Sequence, residues 1–224
     1  PRCAAFLSQW SLDLLIIACN TASSHAVSIL QKEMPCPVYG TISAAVEQIS
    51  LEPEARRVGI VGTESTISSS VYQQALQSSL PSAEIFPVAC PLFVPLVEQG
   101  LFEGEIVDSI IAHYLEDLRS AEIDTLLLGC THYPLLKTAL SKYFNGNVQL
   151  VECSEALATK VQELVRKEYP NQISEKKSKE HYFVTDEESR FKALASLFLG
   201  GKEVEVVRVH ELPEFPSNYT LKAV

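Results

Sequence analysis

One segment of this chain occurs twice, and each copy is a short apolar run that ends in a cysteine. The copies read DLLIIACNT and DTLLLGCTH, and their cysteines, Cys19 and Cys130, lie 111 residues apart. The likeness continues downstream, where we predict that a second strand ends 24 residues after each cysteine, at Ser43 and at Ser154. Matching order and spacing are typical of two copies of one structural unit.

Apolar runs alternate with helical patterns along the chain. We predict strands at seven runs rich in Val, Ile and Leu, which are residues 14–18, 58–61, 84–89, 126–128, 148–151, 182–185 and 204–209. Helical patterns such as 106–118 and 156–168 lie between them. Continuous apolar runs suit strands buried on both faces, so the alternation predicts an α/β fold with mainly parallel sheets.

Charge and hydropathy exclude several classes of protein. Acidic residues outnumber basic ones by 28 to 18, and the formal net charge of −10 argues against binding to nucleic acid or to an anionic membrane. No apolar stretch is long enough to cross a bilayer, and the first residues do not resemble an export signal. We therefore expect a globular protein of the cytoplasm.

The six cysteines are expected to be free thiols, since none belongs to a C-x-x-C pair of the kind found in structural zinc and redox sites. A cysteine most often acts as a small buried hydrophobic residue. We assign packing or a surface position to three of them: Cys3, Cys36 and Cys153. For Cys90, at another strand end, packing and a role in a cleft are both open. Cys19 and Cys130 depart from this default because the repeat places each at a strand end.

Cys19 and Cys130 are expected where parallel α/β sheets bind ligands, at the carboxyl ends of strands. A helix N-terminus at such a point lowers the pKa of a thiol and can hold a carboxylate. Asn20, Thr21 and Thr131 add hydrogen-bond donors. Two thiols related by internal symmetry can flank a chiral α-carbon, so that one thiolate removes its proton while the other thiol delivers one. Such a reaction needs no metal and no organic cofactor.

Two motifs carry the clearest likeness to a known family. They are Ala18-Cys19-Asn20-Thr21-Ala22 and Leu128-Gly129-Cys130-Thr131-His132-Tyr133-Pro134-Leu135-Leu136, which resemble the signature motifs of bacterial glutamate racemases. His132 favours glutamate racemases over the related aspartate racemases. Further similarity lies in Val38-Tyr39-Gly40, Val61-Gly62-Thr63-Glu64 with Thr66, Ala89-Cys90-Pro91 and residues 93–98.

The resemblance implies two pseudo-symmetric α/β lobes with mainly parallel sheets and an active site in the cleft between them. We expect residues 1–52 and 154–224 to form the first lobe and residues 53–153 to form the second. The implied activity is the cofactor-independent interconversion of L- and D-glutamate by two thiols. The implied role is supply of D-glutamate for peptidoglycan, by a homodimer that binds no metal.

Individual residues take their expected roles from the same resemblance. The counterpart of Cys19 acts on the D-enantiomer, and that of Cys130 acts on the L-enantiomer. His132 matches a residue that assists the second thiol and also holds substrate. The other expected substrate contacts are Asn20, Thr21, Thr63, Thr66, Glu98 and Thr131.

The chain departs from the family ahead of Cys19. An Asp-Ser-Gly motif, whose aspartate serves the first thiol, and a Pro-Tyr-Gly substrate-binding motif do not occur there. The repeat has the same gap, because Thr63 lies 67 residues before Cys130 whereas 18 residues precede Cys19. If the two copies were once equal, the first copy lacks about 50 residues or more, which is enough for about two βα modules. Either this sequence omits the N-terminus, or the protein is a truncated copy. We predict that the 224 residues alone are inactive or impaired and expose an apolar sheet edge.

Other functions stay open on the residues themselves. A cysteine hydrolase or amidotransferase would use Cys130 with His132 and leave Cys19 without a role. Another member of the racemase superfamily would act on aspartate, or would be a decarboxylase that keeps one of the two thiols. A two-lobed solute-binding protein would need no thiols, and a truncated copy would act only as a binding or structural protein.

Overall fold

The computed structural model describes residues 1–52, 55–170 and 179–215. The described α-helices are α1 (Arg2–Leu7), α2 (Asn20–Glu33), α3 (Thr41–Ser50), α4 (Glu64–Ser68), α5 (Val71–Ser79), α6 (Phe93–Glu98), α7 (Glu105–Ser120), α8 (Lys137–Tyr143), α9 (Cys153–Glu168) and α10 (Glu188–Phe198), with a 3₁₀ turn at Tyr133–Leu136. The described strands are β1 (Leu15–Ile17), β2 (Val38–Gly40), β3 (Arg57–Gly62), β4 (Glu84–Ala89), β5 (Thr125–Gly129), β6 (Gln149–Glu152), β7 (Tyr182–Val184) and β8 (Val206–Arg208). Among these helices, none combines the length and the apolar character that crossing a bilayer requires.

These elements confirm the predicted α/β fold with parallel sheets, but two predicted strand ends are wrong. β2 ends at Gly40 and β6 ends at Glu152, so Ser43 and Ser154 both lie in the first turn of a helix. A small hydroxyl residue is favourable at the start of a helix, and here the helix begins earlier than the apolar pattern suggests. Both strands end two or three residues earlier than predicted, so the two copies of the repeat still have nearly the same spacing between the cysteine and the end of the next strand.

The chain divides into two compact units. The smaller one contains Pro1–Leu15 and the described residues 179–215, and the larger one contains the described residues from Ile16 to 170. In the smaller unit β7 and β8 pair in parallel, and the Phe6 ring packs edge-on against the rings of Trp10 and Phe183. The expected lobes, residues 1–52 with 154–224 and residues 53–153, remain a prediction.

A four-stranded parallel sheet with the order β4-β3-β5-β6 forms the centre of the larger unit. Successive side chains of β5 point to opposite faces of this sheet. Leu127 packs with α3, α5 and α9, whereas Leu126 and Leu128 pack with α6, α7 and α8. Helices on both faces explain why this strand is a continuous apolar run. β1 and β2 form a separate two-stranded sheet.

The register of the central strands aligns their carboxyl ends. Gly62 at the end of β3 lies opposite Gly129 at the end of β5, and Ala89 at the end of β4 lies opposite Gly62. Thr63 and Cys130, the residues that follow β3 and β5, are therefore neighbours at the carboxyl edge of the sheet. The sheet thus brings residues that are distant in sequence to one edge, as expected for a ligand site of an α/β protein.

Gly129 allows β5 to approach β3 closely at this edge. A Cβ atom at Gly129 would lie 2.8 Å from the Val61 carbonyl oxygen, a backbone atom that cannot turn away. We expect Gly129→Ala to lower the free energy of unfolding by about 1–3 kcal/mol, measured by urea denaturation.

Gly59→Ala on β3 is the matched control for this substitution. The three atoms nearest to a Cβ atom at Gly59 would be the flexible ends of the Ile123, Leu126 and Leu118 side chains, at 2.9 to 3.2 Å. We expect this variant to lose less stability than Gly129→Ala. The close-approach account is wrong if the Gly129→Ala protein is as stable as the wild type.

Candidate active site

Cys19 lies between β1 and α2, and its extended backbone makes it the N-cap residue of that helix. Its carbonyl accepts a hydrogen bond from the Ser23 amide at 2.8 Å, while the Ser23 hydroxyl donates to the Ile17 carbonyl at 2.8 Å. The same hydroxyl accepts from the Thr41 amide at 3.2 Å, which ties the starts of α2 and α3 to the end of β1. Cys19 is exposed, so a small molecule can reach it.

Three of the predicted substrate-binding residues form one cluster of hydroxyl groups. The Thr21 Oγ1 lies 2.9 Å from the Thr63 Oγ1 and 3.1 Å from the Thr66 Oγ1. Thr63 caps α4 by accepting from the Thr66 amide at 3.2 Å, and Thr66 is fully buried. Each hydroxyl can donate or accept, so the cluster can adapt to either a cationic or an anionic group of a ligand.

Asn20, directly after Cys19, has a buried carboxamide of which one end is paired and the other is not. Its Oδ1 accepts a hydrogen bond from the Tyr72 hydroxyl at 2.5 Å. Its Nδ2 is buried and has no hydrogen-bond partner among the described residues. A buried donor of this kind destabilises the protein unless a ligand or a water accepts from it. The Asn20 Nδ2 is therefore a candidate contact for an anionic substrate group.

Cys130 follows β5 and is buried, in contrast to Cys19. Burial raises the pKa of Cys130 to about 11, although the backbone N–H groups of His132, Tyr133 and Thr131 hydrogen-bond to its sulfur and oppose that rise. Negative charge on Cys19 raises the pKa of Cys130 further. The two thiols are thus close enough in the larger unit for charge on Cys19 to oppose the ionisation of Cys130.

His132 lies between Cys130 and a carboxylate. Its Nδ1 is 3.9 Å from the Cys130 Sγ and 3.4 Å from the Thr131 Oγ1, and its Nε2 is 3.4 Å from Glu98 Oε1. Glu98 is the last residue of α6. The carboxylate can orient the imidazole, which places the ring where it can exchange a proton with the thiol.

The larger unit thus brings the predicted site residues into two groups. Those near Cys19 are Asn20, Thr21, Thr63 and Thr66, and those near Cys130 are Thr131, His132 and Glu98. Their roles in binding and catalysis remain predictions. Within the described residues, no cluster of three or more His, Cys, Asp or Glu side chains could hold a metal ion.

Sequence reasoning missed two residues that contact this site. The sequence does not single out Tyr72, and it predicts packing or a surface position for Cys153. Cys153 is buried, but its sulfur also donates to the Leu128 carbonyl at 3.1 Å and lies 3.1 Å from the Tyr72 hydroxyl. One signal was available, because Cys153 directly follows a strand in the second copy of the repeat.

Several known racemases are similar to this chain. A family model described as Asp/Glu/Hydantoin racemase matches residues 1–161. The glutamate racemase of Aquifex aeolicus is 42% identical over 204 residues, which are 91% of this chain and 76% of that protein. Glutamate racemase isoform RacE1 from Bacillus anthracis has a TM-score of 0.86 at 29% identity, covering 93% of this chain and 77% of the other. The Francisella tularensis glutamate racemase in complex with D-glutamate has a TM-score of 0.83 at 30% identity, with the same coverage.

The environment of Cys130 predicts how its thiol reacts. With a pKa of about 11 it is protonated at neutral pH, and its alkylation by iodoacetamide should accelerate as pH rises toward that value. Cys19→Ala removes the neighbouring negative charge, so it should lower the pKa of Cys130 and speed its alkylation in this range. Mass spectrometry of the Cys130 peptide measures both rates.

Cys3→Ala is the control for this titration, because Cys3 is an exposed cysteine of the smaller unit. It should leave the alkylation profile of Cys130 unchanged. A Cys130 pKa at or below that of a free cysteine, about 8.5, would contradict the described burial.

Proposed function

Because this chain belongs to the Asp/Glu/hydantoin racemase family, we propose that it interconverts L- and D-glutamate at the site around Cys19 and Cys130. The observation that carries the proposal is the pair of strand-end thiols, placed so that negative charge on Cys19 raises the pKa of Cys130. The pairing of His132 with Glu98 beside the second thiol supports it. Glutamate as the substrate is supported by the names of the relatives and by the D-glutamate complex of the Francisella protein.

In the L-to-D direction, Cys130 acts as the base. Its thiolate takes the α-proton, and the electron pair of the broken C–H bond stays on the α-carbon as a carbanion stabilised by the adjacent carboxylate. The Cys19 thiol then delivers its proton to the opposite face. The turnover leaves Cys130 as a thiol and Cys19 as a thiolate, and exchange with solvent resets the pair. In the D-to-L direction the two roles are reversed.

The burial of Cys130 makes its thiolate a strong base, which suits the weakly acidic α-proton. The same burial makes the thiolate costly to form. The N–H groups of Thr131, His132 and Tyr133 offset part of this cost, because they hydrogen-bond to the sulfur. His132 can accept the thiol proton, and Glu98 then stabilises the imidazolium.

The groups beside Cys19 fit the polar parts of an amino acid. The unpartnered Asn20 Nδ2 can donate to a carboxylate oxygen, and the hydroxyls of Thr21, Thr63 and Thr66 can bind further polar groups of the substrate. As the resemblance implies, we place the protein in the cytoplasm as a homodimer that supplies D-glutamate for peptidoglycan. The two-thiol scheme itself uses no cofactor.

Hydrogen exchange at the α-carbon tests the proposed reaction. In D₂O, the full-length natural protein should convert L-glutamate to D-glutamate that carries deuterium at Cα, read by proton NMR and chiral chromatography. Cys19→Ala and Cys130→Ala should each slow inversion by at least about a thousandfold, because each lacks one proton-transfer group. Cys36→Ala, at a buried cysteine outside the site, is the control and should keep the wild-type rate.

The single variants also assign each thiol to one enantiomer. Cys19→Ala should still exchange the α-proton of L-glutamate without inverting it, and Cys130→Ala should do the same with D-glutamate. Turnover retained in both variants would refute the two-base scheme. Faster inversion of aspartate than of glutamate, or release of hydrolysis products, would refute the proposed substrate or reaction.

Glu98→Gln tests the role of the carboxylate that faces His132. The substitution keeps the shape of the side chain but removes its negative charge, so the imidazolium loses a charge-assisted hydrogen bond. We expect kcat to fall about tenfold in a racemisation assay. Glu103→Gln removes an exposed carboxylate elsewhere and should leave kcat unchanged. An unchanged kcat in Glu98→Gln would show that Glu98 does not act through His132.

A further inference from the structure

Tyr72 of α5 connects the two segments that carry the thiols. Its side chain is fully buried, and its hydroxyl donates to the Asn20 Oδ1 at 2.5 Å. The hydroxyl oxygen also lies 3.1 Å from the sulfur of Cys153, whose thiol donates to the Leu128 carbonyl at 3.1 Å. A buried chain of polar contacts therefore runs from the residue after Cys19 to the strand that precedes Cys130.

The Tyr72 hydroxyl determines which end of the Asn20 carboxamide faces it. A carboxamide has an acceptor and a donor, and rotation by half a turn exchanges them. Burial, together with the nearby Cys153, raises the pKa of Tyr72 well above its usual value, so the phenol keeps its proton and can donate. A phenol that donates needs an acceptor, which selects Oδ1. The Nδ2 is then directed away from Tyr72, buried and without a partner among the described residues.

Tyr72 itself is held in a single position. Cys153 contacts its hydroxyl, and its ring packs beside β5, where a Cβ atom at Gly129 would lie 3.6 Å from the Tyr72 Cε2. Because the ring is enclosed, the phenol cannot follow a rotation of the carboxamide. The orientation of Asn20 is thus fixed before any substrate binds, which reduces the entropy that binding must overcome.

We propose that Tyr72 is a positioning residue, which holds the Asn20 carboxamide so that Nδ2 donates to a carboxylate oxygen of the substrate. This inference rests on the proposed function, because it requires an anionic amino acid at the site. Tyr72 does not touch the reacting atoms and acts only through Asn20. A purely structural hydrogen bond would contribute to stability but would leave substrate binding unchanged.

Tyr72→Phe removes the hydroxyl and keeps the ring. Without the phenol, the carboxamide can rotate and present either end to the substrate. We expect KM for both glutamate enantiomers to rise about tenfold, with kcat changed less than about twofold, because the contact holds the ground state and the transition state equally. Tyr114→Phe, which removes the hydroxyl of a half-buried tyrosine on α7, is the matched control and should change neither constant.

The outcomes separate the possible errors. If the wild type does not racemise glutamate, the proposed function fails and this inference fails with it. If the wild type is active but Tyr72→Phe keeps the wild-type KM, whether or not the variant is less stable, only the positioning role is overturned. A fall in kcat at unchanged KM also overturns it.

A second measurement decides the question if Tyr72→Phe does not fold. The side-chain amide protons of Asn20 can be assigned by NMR in the wild type, through their loss in Asn20→Ala. Saturating D-glutamate should shift both resonances, because Nδ2 acquires an acceptor. Unshifted resonances under saturation would overturn the proposal.

Discussion

The site depends on the parallel pairing of β3 with β5, in a register that places Gly62 opposite Gly129. This register determines that Thr63 and Cys130 leave the sheet side by side, although 67 residues separate them in sequence. The absence of a side chain at Gly129 allows the β5 backbone to approach the Val61 carbonyl closely. An apolar cluster packs on each face of the sheet and stabilises this pairing of the strands. The positions of the site residues Thr63 and Cys130 therefore depend on the backbone pairing of β3 with β5.

The two copies of the repeat are similar in sequence but provide different environments for their cysteines. Cys19 is exposed at the start of α2, whereas Cys130 is buried in the same apolar cluster as Tyr133 and Leu136 of the 3₁₀ turn that follows it. Burial makes the Cys130 thiolate a strong base. The surrounding N–H groups stabilise this thiolate, and His132 lies where it can accept the thiol proton. A racemase handles two mirror-image substrates, and the two thiols that we propose for this task differ in their exposure to solvent.

The sequence predicted those parts of the fold that depend on local patterns. The continuous apolar runs predicted the central strands, and the repeat predicted that Cys19 and Cys130 follow strand ends, where we propose the site. The same patterns misplaced the ends of β2 and β6, because Ser43 and Ser154 suit the first turn of a helix as well as the residue after a strand. The family inferred from the two cysteine motifs is confirmed by the similarity to known racemases.

Local patterns could not predict contacts between distant residues. Tyr72 contacts Asn20 across 52 residues and Cys153 across 81, and in their own segments Tyr72 and Cys153 look like ordinary core residues. The pairing of Glu98 with His132 is likewise visible only once α6 and β5 are packed together. Such contacts arise from the arrangement of helices around the sheet, so they became known only with the structure.

A crystal structure of the full-length protein with bound glutamate tests the central claim most directly. The account predicts that the sulfur atoms of Cys19 and Cys130 lie on opposite faces of the substrate α-carbon, each within about 3–4 Å of it. Two sulfurs on the same face, or one sulfur directed away from the ligand, would contradict it.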